Sequence, residues 1–127
     1  MKSFLFSTVV LGISVFAGCG RHQAAVDSRL YFGLETYSGA ILADTFQAFI
    51  DSVITPRFPD GLTRYDADGQ WKNGKGIIVK EKSVVVEIIH AATPEAGRKI
   101  EEIRTIYKKR FSQESVLLVE DKPKVSF

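Results

Sequence analysis

Three residues of this 127-residue chain would support acid–base chemistry if folding gathered them: Arg57, Asp60 and His90. An imidazole exchanges protons near neutrality, a carboxylate can orient it, and a guanidinium holds an anion. Arg57 and Asp60 lie in the proline-bounded segment Pro56 to Gly61. Such a loop can present both charges to a ligand. The plainer reading uses Asp60 to make the turn and Arg57 to cap carbonyls or pair with a carboxylate. His90 divides the same way, between a proton carrier and a strand-end residue bonded to backbone. A second group comprises Tyr37, Gln70, Trp71, Gln113 and Glu114. Trp71 can stack on a sugar or another flat ligand, or buttress a hairpin from within; structural service is the plainer reading of Gln113 and Glu114.

Other chemistries find little support. Only His22 and His90 are present with a single cysteine, which argues against a zinc site, and no motif implies a cofactor. Ser28, Ser38, Ser83 and Ser115 lack a nucleophile-elbow context, and Gly74-Lys75-Gly76 is a hairpin turn, not a phosphate loop. The net charge of +2 is too small to imply nucleic acid, and 45% hydrophobic with 25% charged residues is ordinary globular composition.

The first residues read as an export signal. Lys2 precedes an uncharged apolar run from Phe4 to Ala17, too short for a membrane span but suited to a signal core. Phe16-Ala17-Gly18-Cys19 resembles the lipobox of bacterial lipoproteins, in which the cysteine is acylated and becomes N-terminal. The alternative is ordinary cleavage after Ala17, leaving a free thiol. The resulting division is a signal peptide over 1–18, a tether over 19–28 and one domain over 29–127. It implies a lipid anchor at Cys19 and, by resemblance to Gram-negative sorting with Gly20 next, an outer-membrane position facing the periplasm.

The remaining chain reads β-α-β-β-α-β. Arg29 to Glu35 alternates with period 2, and residues 43–54 carry apolar groups at helical spacing. Leu62 to Trp71 is strand-like, with Asp66-Ala67-Asp68-Gly69 suggesting a bulge. Asn73-Gly74 signals a hairpin, and Ile77 to His90 is extended with an interruption near Lys82-Ser83. Thr93-Pro94-Glu95 starts a second helix, and Ser115 to Val119 closes as a strand. Two helices, each with one apolar stripe, cover one face of four strands. The expected fold is therefore an α+β ferredoxin-like two-layer sandwich: an antiparallel sheet in order 4-1-3-2, with a long hairpin between the second and third strands. This topology puts Arg29, Arg57, Asp60 and His90 at one end, and Tyr37, Trp71 and Gln113-Glu114 at the other. Phe32, Val86 and Ile88 alternate with Tyr31, Val85 and Ile89, so whichever face the helices leave uncovered carries large apolar groups. That implies an apolar interface and a homodimer, unless the long hairpin or the tail from Pro123 to Phe127 folds over it.

Four strings carry a family resemblance: Leu30 to Leu34, Thr55 to Thr63, Asp66 to Trp71 and Arg110 to Val116. Across roughly residues 29–127 the chain resembles a family of small bacterial envelope proteins, domain of unknown function 3574. The resemblance implies export and a single domain, and brings no activity with it. Two functions remain open. One is an envelope lipoprotein that binds a partner or ligand through its open sheet face or the Arg57–Asp60 loop. The other is a small enzyme, similar in outline to cofactor-free monooxygenases, with a pocket between sheet and helices. The signal for an enzyme is weak.

Overall fold

The computed structural model describes residues 24–126. The signal peptide, Cys19 and residues 19–23 of the expected tether lie outside the described residues. Strand β1 (Ala25–Gly33) leads into a small hairpin, β2 (Glu35–Thr36) and β3 (Gly39–Ala40), then helix α1 (Ala43–Phe49). A π-helical turn, Ile50–Ile54, prolongs α1. Next come β4 (Thr63–Lys72), β5 (Ile78–Ala91), α2 (Pro94–Phe111) and β6 (Leu117–Asp121). The main sheet runs β4-β5-β1-β6 with every neighbour antiparallel, which is the expected ferredoxin-like order.

Three expectations need correcting. The tether ends sooner than residue 28, because Ala25 to Ser28 already pair with Ala91 to Ile88. The polar run Asp27-Ser28 conceals the strand in sequence; both residues are buried, Ser28 bonded laterally to His90 and Glu120 and Asp27 accepting from Arg29 two positions along the same strand. The bulge at 66–69 and the break near Lys82-Ser83 are likewise absent, since β4 and β5 stay in register from Thr63–Glu87 to Lys72–Ile78. Their polar residues mark where β1 stops. The last bond from that side is Leu34 N–H to Lys82 O, 2.9 Å. Beyond it β4 and β5 continue as a two-stranded ribbon wetted on both sides, where alternation is no longer required. Asp68 and Lys82, directly opposite, form an ion pair there. Asn73 closes the tip, its side chain accepting from Lys75 N–H at 2.9 Å and Ile77 N–H at 3.0 Å.

The helices pack on the face that presents Leu30, Phe32, Val84, Val86 and Ile88. Phe32 meets Phe46, Phe49 and Tyr107 edge-on, with centroids 5.4, 5.8 and 4.6 Å apart. Thr93 caps α2 by accepting from Ala96 N–H at 3.2 Å, Pro94 occupies its first turn, and Lys108, Lys109 and Arg110 its last. Among the described residues no helix is long and apolar enough to cross a membrane.

The uncovered face is mixed rather than uniformly apolar. Tyr31, Val85 and Ile89 lie on it as the alternation requires, and Ile89 and Leu117 are half exposed. A charged row shares the same face. Arg29 reaches Asp27 and Asp121, each at 2.8 Å, and Glu87 at 3.7 Å. Asp27 is the main cause holding the guanidinium in its charged form, above its ordinary range. Tyr65 donates to Glu87 at 2.5 Å, and that bond raises its phenol above the usual value.

Candidate functional site

The structure does not assemble Arg57, Asp60 and His90. Arg57 donates to Val53 O at 2.9 Å and to Glu102 at 3.1 Å, tying the end of the π-turn to α2. Asp60 is exposed in the turn before Gly61, whose φ of 131° suits glycine alone. His90 points to the sheet interior, its Nε2 2.9 Å from Ser28 Oγ and its ring centroid 5.3 Å from that of Phe58. Arg29 lies on the other face of the sheet.

Ser28 also donates to Glu120 at 3.0 Å, which makes a serine–histidine–glutamate row across three strands. The residue types suit a nucleophile and its base, but Ser28 has 0% exposure, so no substrate reaches its hydroxyl. The row holds the sheet end together. Reading residues 19–28 as a tether hid it.

At the opposite end the sheet opens into a cleft of about 580 Å³. Its floor exists because two open-face positions are glycine. Gly33 ends β1, and Gly69 lies inside β4 opposite Glu81. Interior strand glycines mark places of close approach. A side chain at Gly33 would overlap the Glu81 carboxylate that leans across it. Tyr31 and Leu117 rise on one side and Trp71 on the other, with Tyr37 coming from the β2–β3 hairpin and Glu114 from the loop after α2. Gln113 fastens that loop by donating to Glu35 O at 2.7 Å. Tyr107 fixes the end of β1 from beneath by donating to Gly33 O at 2.7 Å. Burial, and secondarily the charge of Glu81, push the Tyr107 phenol well above its ordinary value, so it stays protonated and serves as a donor.

Tyr37, Trp71, Gln113 and Glu114 thus line one space. Gln70 does not, because the alternation of β4 turns it to the other side. Sequence reasoning missed Tyr31, Gly33, Gly69 and Glu81. The available signal was the pair of strand glycines beside aromatic residues. A shallower groove of about 600 Å³ runs along α2 past Arg57 and Ile106. Among the described residues no three His, Cys, Asp or Glu side chains stand together to hold a metal ion.

Comparison with solved structures confirms the fold. A phage SAM lyase in complex with S-methyl-5'-thioadenosine is similar at 18% identity and a TM-score of 0.62, with 80% of this chain and 83% of that one covered. CutA from Synechococcus elongatus is similar at 8% identity and a TM-score of 0.52, with 81% and 80% covered. At such identities the likeness is one of fold. Comparison with curated proteins returns no match. Residues 27–127 match the family model described as protein of unknown function, DUF3574, and the chain belongs to that family.

Proposed function

We propose that this chain is an envelope lipoprotein whose domain binds a small ligand in the cleft between Tyr31 and Trp71. One observation carries the reading. Tyr31 and Gly33, Gly69 and Trp71, and Ser112 to Ser115, drawn from three of the four strings that carry the family resemblance, line that one cleft. Its volume is in the range of small-molecule sites, and it combines flat aromatic surface with a few polar groups. The space where an enzyme of the monooxygenase outline would keep its pocket, between sheet and helices, is filled by Phe32, Phe46, Phe49 and Tyr107.

The lipobox-like Phe16 to Cys19 supports an anchor at Cys19. Strand β1 starts at Ala25 and reaches the cleft at Gly33, about 26 Å further at the strand rise. Anchored through Cys19 on the periplasmic side of the outer membrane, the domain would turn its cleft away from the bilayer. Cells given labelled palmitate should mark the wild-type chain and leave Cys19→Ala unmarked; equal label in both would remove the anchor.

The ligand site is tested on the ¹⁵N-labelled full chain in a non-ionic detergent, titrated with a panel of amino acids, amines, sugars and nucleosides. Binding compounds should move the single indole N–H of Trp71 together with the amides of Gly33 and Gly69. Shifts confined to Arg57–Gly61, or none from any compound, would refute the cleft. The half-exposed Ile89, Leu117 and Tyr65 also support a second copy seated on the open face. Relaxation of the same sample with the mobility of a single copy would refute that pairing.

A further inference from the structure

We propose that the ligand of the cleft is an organic cation: an amine or quaternary ammonium carried on a flat or apolar body. The inference rests on the cleft being the ligand site and adds the chemistry of what it takes.

The walls and the charge of the cleft point the same way. Tyr31, Tyr37 and Trp71 present aromatic rings, whose faces attract a cation and stack on a flat body. Glu35, Glu81 and Glu114 line the same space, and among the described residues no lysine, arginine or histidine does. Among the described residues none of these three carboxylates has an ion-pair partner. The acids of the open-face row, Asp27, Glu87 and Asp121, share Arg29, and those of α2 each hold a cation. Asp44, Asp51, Asp60 and Glu120 have no ion pair either, but stand apart from one another and outside the cleft. The negative sign is a local one, because the domain's own acids and bases balance: Lys2 and Arg21, which give the chain its net charge of +2, precede it. A concave site of negative sign in an otherwise balanced domain focuses its field on cations.

A bare metal ion fits poorly, because among the described residues these carboxylates form no ligand group. An anion would meet three like charges and no donor cation. A neutral sugar would stack on the rings and donate its hydroxyls to the carboxylates, but would leave their charge unbalanced. An ammonium uses both, its charge near Glu81 over the Gly33 floor and its apolar body against Trp71 or Tyr31.

The test uses three probes with one body and three charges: 2-phenylethylamine, 2-phenylethanol and phenylacetate. Each is titrated into the full chain, with calorimetry for affinity and the Trp71 indole signal for location. The amine should bind about tenfold more tightly than the alcohol, phenylacetate should be excluded, and added salt should weaken the amine alone. Glu81→Gln and the loop variant Glu114→Gln should each lower amine affinity about threefold to tenfold and leave the alcohol unchanged. Alcohol or phenylacetate binding as tightly as the amine at Trp71 would overturn the cation and leave the cleft standing. An amine that fails to move Trp71 where another compound succeeds would do the same. Silence of the cleft toward every compound would instead overturn the cleft itself.

Discussion

Phe32→Ala is expected to cost about 3–5 kcal/mol of folding stability, the usual range for removing a buried aromatic ring. Phe32 has 0% exposure and stands where the sheet meets both helices, edge-on to Phe46, Phe49 and Tyr107. These partners are themselves large rings anchored on α1 and α2, so they cannot collapse into the vacancy without dragging their helices. The chain has a single cysteine and hence no intrachain disulfide to hold what the core loses. Against a total of about 5–15 kcal/mol for a small domain, the loss leaves little margin at 37 °C. Urea denaturation followed by far-ultraviolet circular dichroism measures it. A loss below about 1 kcal/mol would mean that the aromatic cluster does not bear the fold.

Ser28→Ala should cost about 1–3 kcal/mol, far above the usual effect of trimming one hydroxyl at a surface. The Ser28 oxygen lies between His90 at 2.9 Å and Glu120 at 3.0 Å, at a position with no exposure. Removing it leaves His90 Nε2 facing a methyl group among packed residues, with no replacement partner. Glu120, which is exposed, can turn to solvent and lose less. The loss should therefore be shared with His90: in the background of His90→Phe, removing the hydroxyl should cost much less. Equal costs in both backgrounds, measured as a double-mutant cycle, would show that the row is three neighbours and not one network.

Much of the fold is legible because its signals are local. Thr93-Pro94-Glu95 and Lys108 to Arg110 bracket α2 by capping and charge. Alternation separates Phe32, Val86 and Ile88 from Tyr31, Val85 and Ile89, though only the packing shows that the helices cover the first set. What escaped depends on lateral partners. Ser28 resembles linker until Glu120 and His90 are seen beside it, and Asp27 does so until Ile89 and Asp121 pair with it across the sheet. The ribbon's polar residues mimic a bulge because the pattern cannot tell where a neighbouring strand stops. Topology correctly grouped Arg57 and His90 at one end of the sheet, but an end has several sides. Arg57 leaves along α2, and His90 turns under Phe58. Tyr37, Trp71, Gln113 and Glu114 carried the cleft into view through their chemistry. The glycines that hollow it out have no side chain to attract notice.

The ribbon that overruns the sheet is a cantilever. From Gly69 to Lys72 and from Ile78 to Glu81 each strand has only the other for support, and paired strands standing alone coil more strongly than those embedded in a sheet. Trp71 and Glu81 ride on that arm, whereas Tyr31 and Gly33 stand on the braced part of the molecule. One jaw is therefore sprung and the other fixed, and the gap between them is set by the coiling of eight residues. Any occupant touching both Trp71 and Tyr31 would therefore bridge the least supported portion of the protein to its most braced one.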